Sequence, residues 1–192
     1  FADVAAKATP AVVFIQVEKQ VAIGNRNFYF NNPFDFFGED FAEKFFGLPP
    51  GMQGPGMPER RAPGRGRAPT FKQTGQGSGF IISKDGYILT NTHVVGDVDK
   101  FTVKLADGRE FPAKRVGADS KTEVALIKIE AEGLPVLAIG KPDALNIGEW
   151  VIAIGNPFGL KETLTVGVVS AKGRSNIGIT DYENFIQTDA AI

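Results

Sequence analysis

Residues 77–95 read GSGFIISKDGYILTNTHVV. Two runs rich in Ile, Phe, Tyr and Thr flank Lys84-Asp85-Gly86, and His93 lies two residues beyond the second run. β-branched and aromatic side chains suit a pleated, half-buried surface, and Asp-Gly supplies the positive-φ residue that a tight turn needs. The pattern predicts a hairpin of GSGFIIS (77–83) and YILTN (87–91) that delivers His93 just past its return strand.

The same pattern continues outward on the C-terminal side. FTVKL and REFPAKRVG flank Ala106-Asp107-Gly108 as a second hairpin. EVALIKI (123–129), EWVIAIG (149–155) and TLTVGVVSA (163–171) read as further strands. EWVIAIG ends at Asn156-Pro157-Phe158-Gly159, KGRSNIGITDYE (172–183) reads as a polar loop, and NFIQTDAAI closes the chain. Short strands about 8 to 12 residues apart argue for an all-β sandwich or barrel. Helix-length periodic segments are missing from this half, which disfavours a parallel βαβ sheet.

The N-terminal side is different. ADVAAKAT (2–9) reads as a short helix stopped by Pro10, and AVVFIQVE (11–18) as a strand entering a core. From 20 to 75 the composition changes. Phe28, Phe30, Phe34, Phe36, Phe37, Phe41, Phe45 and Phe46 crowd together, ahead of LPPGMQGPGMPERRAPGRGRAP. The second part is too poor in apolar side chains to offset its ordering entropy, so it reads as a disordered linker or long loop.

Hydrophobic residues make up 43% of the chain and the net charge is −1, so a real core is available and no charge bias points to a nucleic acid or a membrane. Arg60, Arg61, Arg65 and Arg67 lie in the Gly/Pro-rich run, and without a basic fold around them no nucleic-acid partner is expected. There is no cysteine, hence no disulfide and no thiolate. The chain starts at Phe1 rather than Met, as expected of a processed or trimmed protein.

His93 is the chain's only histidine, which argues against a His-based metal cluster. An imidazole takes and gives protons near neutrality, so acid–base work is the alternative to a merely hydrogen-bonded histidine. A histidine base needs an acceptor on its other ring nitrogen. Asp97, Asp99, Asp107, Asp119 and Glu123 are the acids downstream. Asp97 and Asp99 are too close in sequence. Glu123 opens an apolar strand, where a lone acid needs a reason. Ser78, Ser83, Ser120, Ser170 and Ser175 are the available hydroxyls, and none lies in a Gly-x-Ser-x-Gly elbow. Residue types and spacing alone therefore give an acid–base histidine without a nucleophile.

GSGFIISKDGYILTNTHVV, DSKTEVALIKI, WVIAIGNPFGL, TVGVVSAKGRS and YENFIQTDAAI together resemble the HtrA (DegP/DegQ-like) serine proteases, in the same order and without a gap from about Gly77 to Ile192. The resemblance implies a chymotrypsin-like double antiparallel β-barrel. Its divisions would be an N-terminal trimerisation segment and first strand (1–19), a long regulatory loop (20–75), a first barrel with the catalytic histidine (76–135) and a partial second barrel (136–192). It implies that His93 is the general base and that Glu123, where the family usually has Asp, is its partner. In the family a serine-bearing segment follows TDAAI, so the chain as given is expected to stop short of the nucleophile and to be inactive alone.

The resemblance further implies that Arg174 signals activation to a neighbouring subunit's Phe158. It implies homotrimers and cage-like oligomers, PDZ domains beyond this chain, and no metal or other cofactor. The implied activity is ATP-independent endoproteolysis of unfolded or misfolded proteins in the bacterial periplasm, with chaperone-like binding. The alternative is a non-proteolytic, polypeptide-binding scaffold on the same fold.

Overall fold

A computed structural model describes residues 1–22, 70–96, 98, 100–156, 163–175 and 184–191. A short helix, α1 (Ala2–Ala8), ends in a 3-10 turn that contains Pro10 and leads into β1 (Val12–Ala22). Then come β2 (Thr70–Ile81), β3 (Tyr87–Asn91), β4 (Lys100–Lys104), β5 (Glu110–Asp119) and β6 (Val124–Ile129). These six strands close a barrel in the order β1-β2-β3-β6-β5-β4, with antiparallel neighbours throughout.

Alternation along the strands fills the barrel. Val13, Ile15 and Val17 of β1, Ile88 of β3, Val103 of β4, and Ile127 and Ile129 of β6 have no exposed surface. Each such side chain contributes roughly 1.5–3 kcal/mol of burial. On β1 the other face is covered too: Val12 and Phe14 are buried, and the strand lies beside β7. That double burial explains the unbroken apolar run at 11–15.

The chain leaves β6 through an irregular segment tied under the β2–β3 hairpin, with Leu134 N–H donating to Lys84 O and Leu137 N–H to Ile81 O. It enters a second, three-stranded antiparallel sheet in the order β7 (Trp150–Gly155), β8 (Thr163–Arg174), β9 (Phe185–Thr188). The all-β expectation with a short N-terminal helix therefore holds. Two expected boundaries do not. The stretch read as an unstructured loop from 20 to 75 is strand at both ends, since β1 and β2 stay paired out to Ala22 and Thr70. Likewise β8 runs through Arg174 into the stretch read as loop. In both cases backbone pairing carries the strand through residues that break the apolar pattern. The rest of 20–75, with its Phe cluster and with Arg60, Arg61, Arg65 and Arg67, lies outside the described residues.

Candidate active site

Beyond β3 the chain makes a tight turn, with Val94 N–H donating to Asn91 O (3.1 Å) and Val95 N–H to Thr92 O (3.2 Å). Val94 and Val95 plug the barrel, being 4% and 0% exposed. Gly77 on β2 makes room for them, because a Cβ there would lie 2.5 Å from Val94 Cγ1. Two core valines thus anchor the turn from below and leave His93 at the rim, its side chain 19% exposed.

Glu123 comes to the same rim because β3 pairs with β6, with Asn91 opposite Val124. One carboxylate oxygen, Oε2, lies 2.9 Å from His93 Nδ1 and also accepts the His93 main-chain N–H at 3.2 Å. The Glu123 carbonyl accepts the Thr92 N–H (3.1 Å) and the Asn91 side-chain amide (3.2 Å). Glu123 has φ 59 and is the non-glycine with positive φ among the described residues.

A carboxylate can only accept, so the facing Nδ1 carries the proton and Nε2 keeps its lone pair. Burial pulls the His93 pKa below its ordinary 6.5, partly opposed by the hydrogen bond and the negative charge of Glu123. The imidazole is therefore neutral near neutrality, the form a general base requires.

The other candidate acids serve elsewhere. Asp119 accepts Lys121 N–H and the Thr122 hydroxyl, closing the turn before β6. Asp107 holds Arg109 through its backbone N–H (3.0 Å) and Nε (2.8 Å) in the β4–β5 hairpin. Asp97 and Asp99 lie outside the described residues, as does Phe158. Arg174 is exposed at the end of β8, and Ser175 follows it, also exposed. The Ser83 hydroxyl accepts Tyr87 N–H in the hairpin turn. The Ser78 hydroxyl accepts Asn156 N–H at 2.8 Å, which ties β2 to the end of β7.

Sequence reasoning passed over three residues that shape this region. Asn91 and Thr92 hold the acid's backbone, and their position as short polar residues just ahead of His93 was the available signal. Asp189 is the third: its Oδ1 accepts Val168 N–H at 2.7 Å and straps the segment after β9 onto β8. Gly167 permits that approach, because a Cβ there would run into Ala190 N.

Comparison with known proteins places this geometry in context. The family model of the trypsin-like peptidase domain matches residues 77–192. A relative from Chlamydia trachomatis, described as a DegP-like periplasmic serine endoprotease, is 49% identical over all of this chain and 37% of its own length. A protein of the same description from Hahella chejuensis is 45% identical, over all of this chain and 38% of its own. The chain thus spans under two fifths of these relatives. A solved structure of a variant of the HtrA-type protease AlgW with a decapeptide covers the whole chain at a TM-score of 0.76 and 34% identity, with 51% of that protein matched.

Proposed function

The chain belongs to the trypsin-like peptidase family, and from that premise we propose that it is the catalytic-base portion of an HtrA-type serine endopeptidase. The observation that carries the reading is the 2.9 Å contact between His93 Nδ1 and Glu123 Oε2, on a histidine whose burial favours its neutral form. The proposed place of action is the periplasm, and the proposed substrates are unfolded or misfolded envelope proteins. The relatives' descriptions support the first, and the AlgW structure with a decapeptide supports a peptide ligand.

In this reading His93 Nε2 takes the proton of an attacking serine hydroxyl and returns it to the leaving amine. Glu123 keeps the ring in the Nδ1–H tautomer and stabilises the imidazolium. The proposed nucleophile is a serine in a segment following Thr188-Asp189-Ala190-Ala191-Ile192, as the family resemblance implies. Backbone amides there would stabilise the oxyanion, each donor contributing about 3 kcal/mol. Arg174, exposed at the end of β8, is the proposed regulatory contact, with Phe158 as its counterpart on a neighbouring subunit. A homotrimer built on the N-terminal segment is also proposed. It is supported by Phe1 and Trp150, which stack edge-on at 5.3 Å while staying 59% and 66% exposed.

Casein digestion by the full-length protein, beside a variant with the nucleophilic serine changed to alanine, tests the activity. Cleavage by the first sample only is expected. Equal residual casein in both would remove the peptidase reading in favour of a polypeptide-binding scaffold.

A further inference from the structure

The base and the acid are joined by more than their own contact. The Glu123 carbonyl takes two donors from the residues just before His93, the Asn91 side-chain amide and the Thr92 N–H. The Thr92 hydroxyl lies 3.1 Å from Asp119 O and 3.0 Å from Val124 O, so one side chain spans the loop that carries Glu123. Between those acceptors sits a glutamate with φ 59. For a residue with a Cβ the left-handed region is disfavoured by roughly 1–2 kcal/mol, and it persists only where the surroundings over-determine it.

With the backbone held this way, one carboxylate oxygen meets both the His93 N–H and Nδ1. A glutamate has one more rotatable bond than an aspartate, and ordering that bond is part of the entropy the site must offset.

We propose that Asn91 and Thr92 are positioning residues for the His93–Glu123 pair, holding the Glu123 backbone left-handed so that its carboxylate stays on Nδ1 while the ring gains and loses its proton. Neither side chain acts on the ring directly. Both act through main-chain carbonyls in and around Glu123. The role deepens the peptidase reading and rests on it.

The test uses full-length protein carrying Asn91→Ala, Thr92→Val or Thr92→Ser. Asn91→Ala and Thr92→Val should each lower kcat about tenfold while KM stays within about twofold, the signature of lost alignment rather than lost binding. Thr92→Ser keeps the hydroxyl and should recover kcat to within about twofold of wild type. The downfield proton resonance of His93 Nδ1–H, assigned by its loss in a His93 variant, should fade in Asn91→Ala and Thr92→Val and persist in Thr92→Ser. Melting temperatures are taken alongside, and if Asn91→Ala does not fold, the Thr92 pair decides.

Unchanged kcat in Asn91→Ala and Thr92→Val overturns the proposal, as does a Thr92→Ser variant as impaired as Thr92→Val. Should the wild-type protein cleave nothing, the peptidase reading fails by itself and the resonance decides the clamp. Its persistence in Asn91→Ala and Thr92→Val overturns the proposal, and its loss upholds it.

Discussion

At the scale of single residues the site is governed by burial and by Glu123, which shift the proton affinity of His93 in opposite directions. Burial disfavours the charged ring, and both contributions of Glu123 favour it. Changing Glu123 to Gln removes the negative charge and weakens the hydrogen bond. Turnover of the full-length enzyme should fall by roughly two to four orders of magnitude, and the acid limb of its pH–rate profile should move further down. An acid limb that moves up, or turnover within a few-fold of wild type, would mean that another group orients the ring. The same shift acts on stability. Folded His93 binds its proton more weakly than it does in the unfolded chain, so between its lowered value and 6.5 the unfolded state holds more protons. Stability therefore rises with pH across that window and is lost on acidification below 6.5. Denaturant midpoints between about pH 5 and pH 8 should show this slope in wild type, and a shallower one in His93→Gln. Parallel curves would show that His93 does not titrate differently on folding.

At the scale of elements, the β2–β3 hairpin and the start of β6 build the site, and glycines set how closely they approach. Gly86 has φ 102, and a Cβ there would run into the Ile129 carbonyl oxygen. That carbonyl ends β6, and Gly86 O accepts Ile129 N–H at 3.0 Å, so the hairpin turn and the strand share one backbone contact. Gly133 is a control, with φ 65 and open space around it. Gly133→Ala should lose only the backbone preference, about 1 kcal/mol, whereas Gly86→Ala should lose about 2–4 kcal/mol. Urea unfolding of both variants measures the gap, and equal losses would refute the steric part of the argument. The strands were legible from β-branched runs between Gly- and Asp-containing turns. Their full extent was not. β1, β2 and β8 extend through stretches in which Lys, Gln, Gly and Arg interrupt the apolar pattern, and a ladder already begun continues there by backbone hydrogen bonds.

At the scale of the whole molecule, a closed barrel and a three-stranded sheet lie side by side, linked by the bond from Asn156 N–H to Ser78 Oγ. The exposed aromatic pair of Phe1 and Trp150 joins α1's start to the edge of the second sheet. Aromatic side chains of this kind supply a disproportionate share of interface energy, commonly about 2 kcal/mol or more each. If the pair seals a threefold interface, Trp150→Ala should shift full-length protein from trimer toward monomer in sedimentation at micromolar concentration. An unchanged mass would exclude it from the interface. Local sequence was enough to make the chain all-β, to place its hairpins and to single out His93, because alternation, turn residues and a lone histidine can be read along the chain without its folded partners. Residue types and spacing left Asp107, Asp119 and Glu123 open as the partner of His93. Beyond the family resemblance, it took barrel closure to choose among them physically. Pairing β3 with β6 sets Glu123 against a ring thirty positions earlier and leaves Asp107 and Asp119 to their own turns. The left-handed backbone of Glu123 was equally beyond reach, since its carbonyl meets the Asn91 side-chain amide and the Thr92 N–H some thirty positions away in sequence.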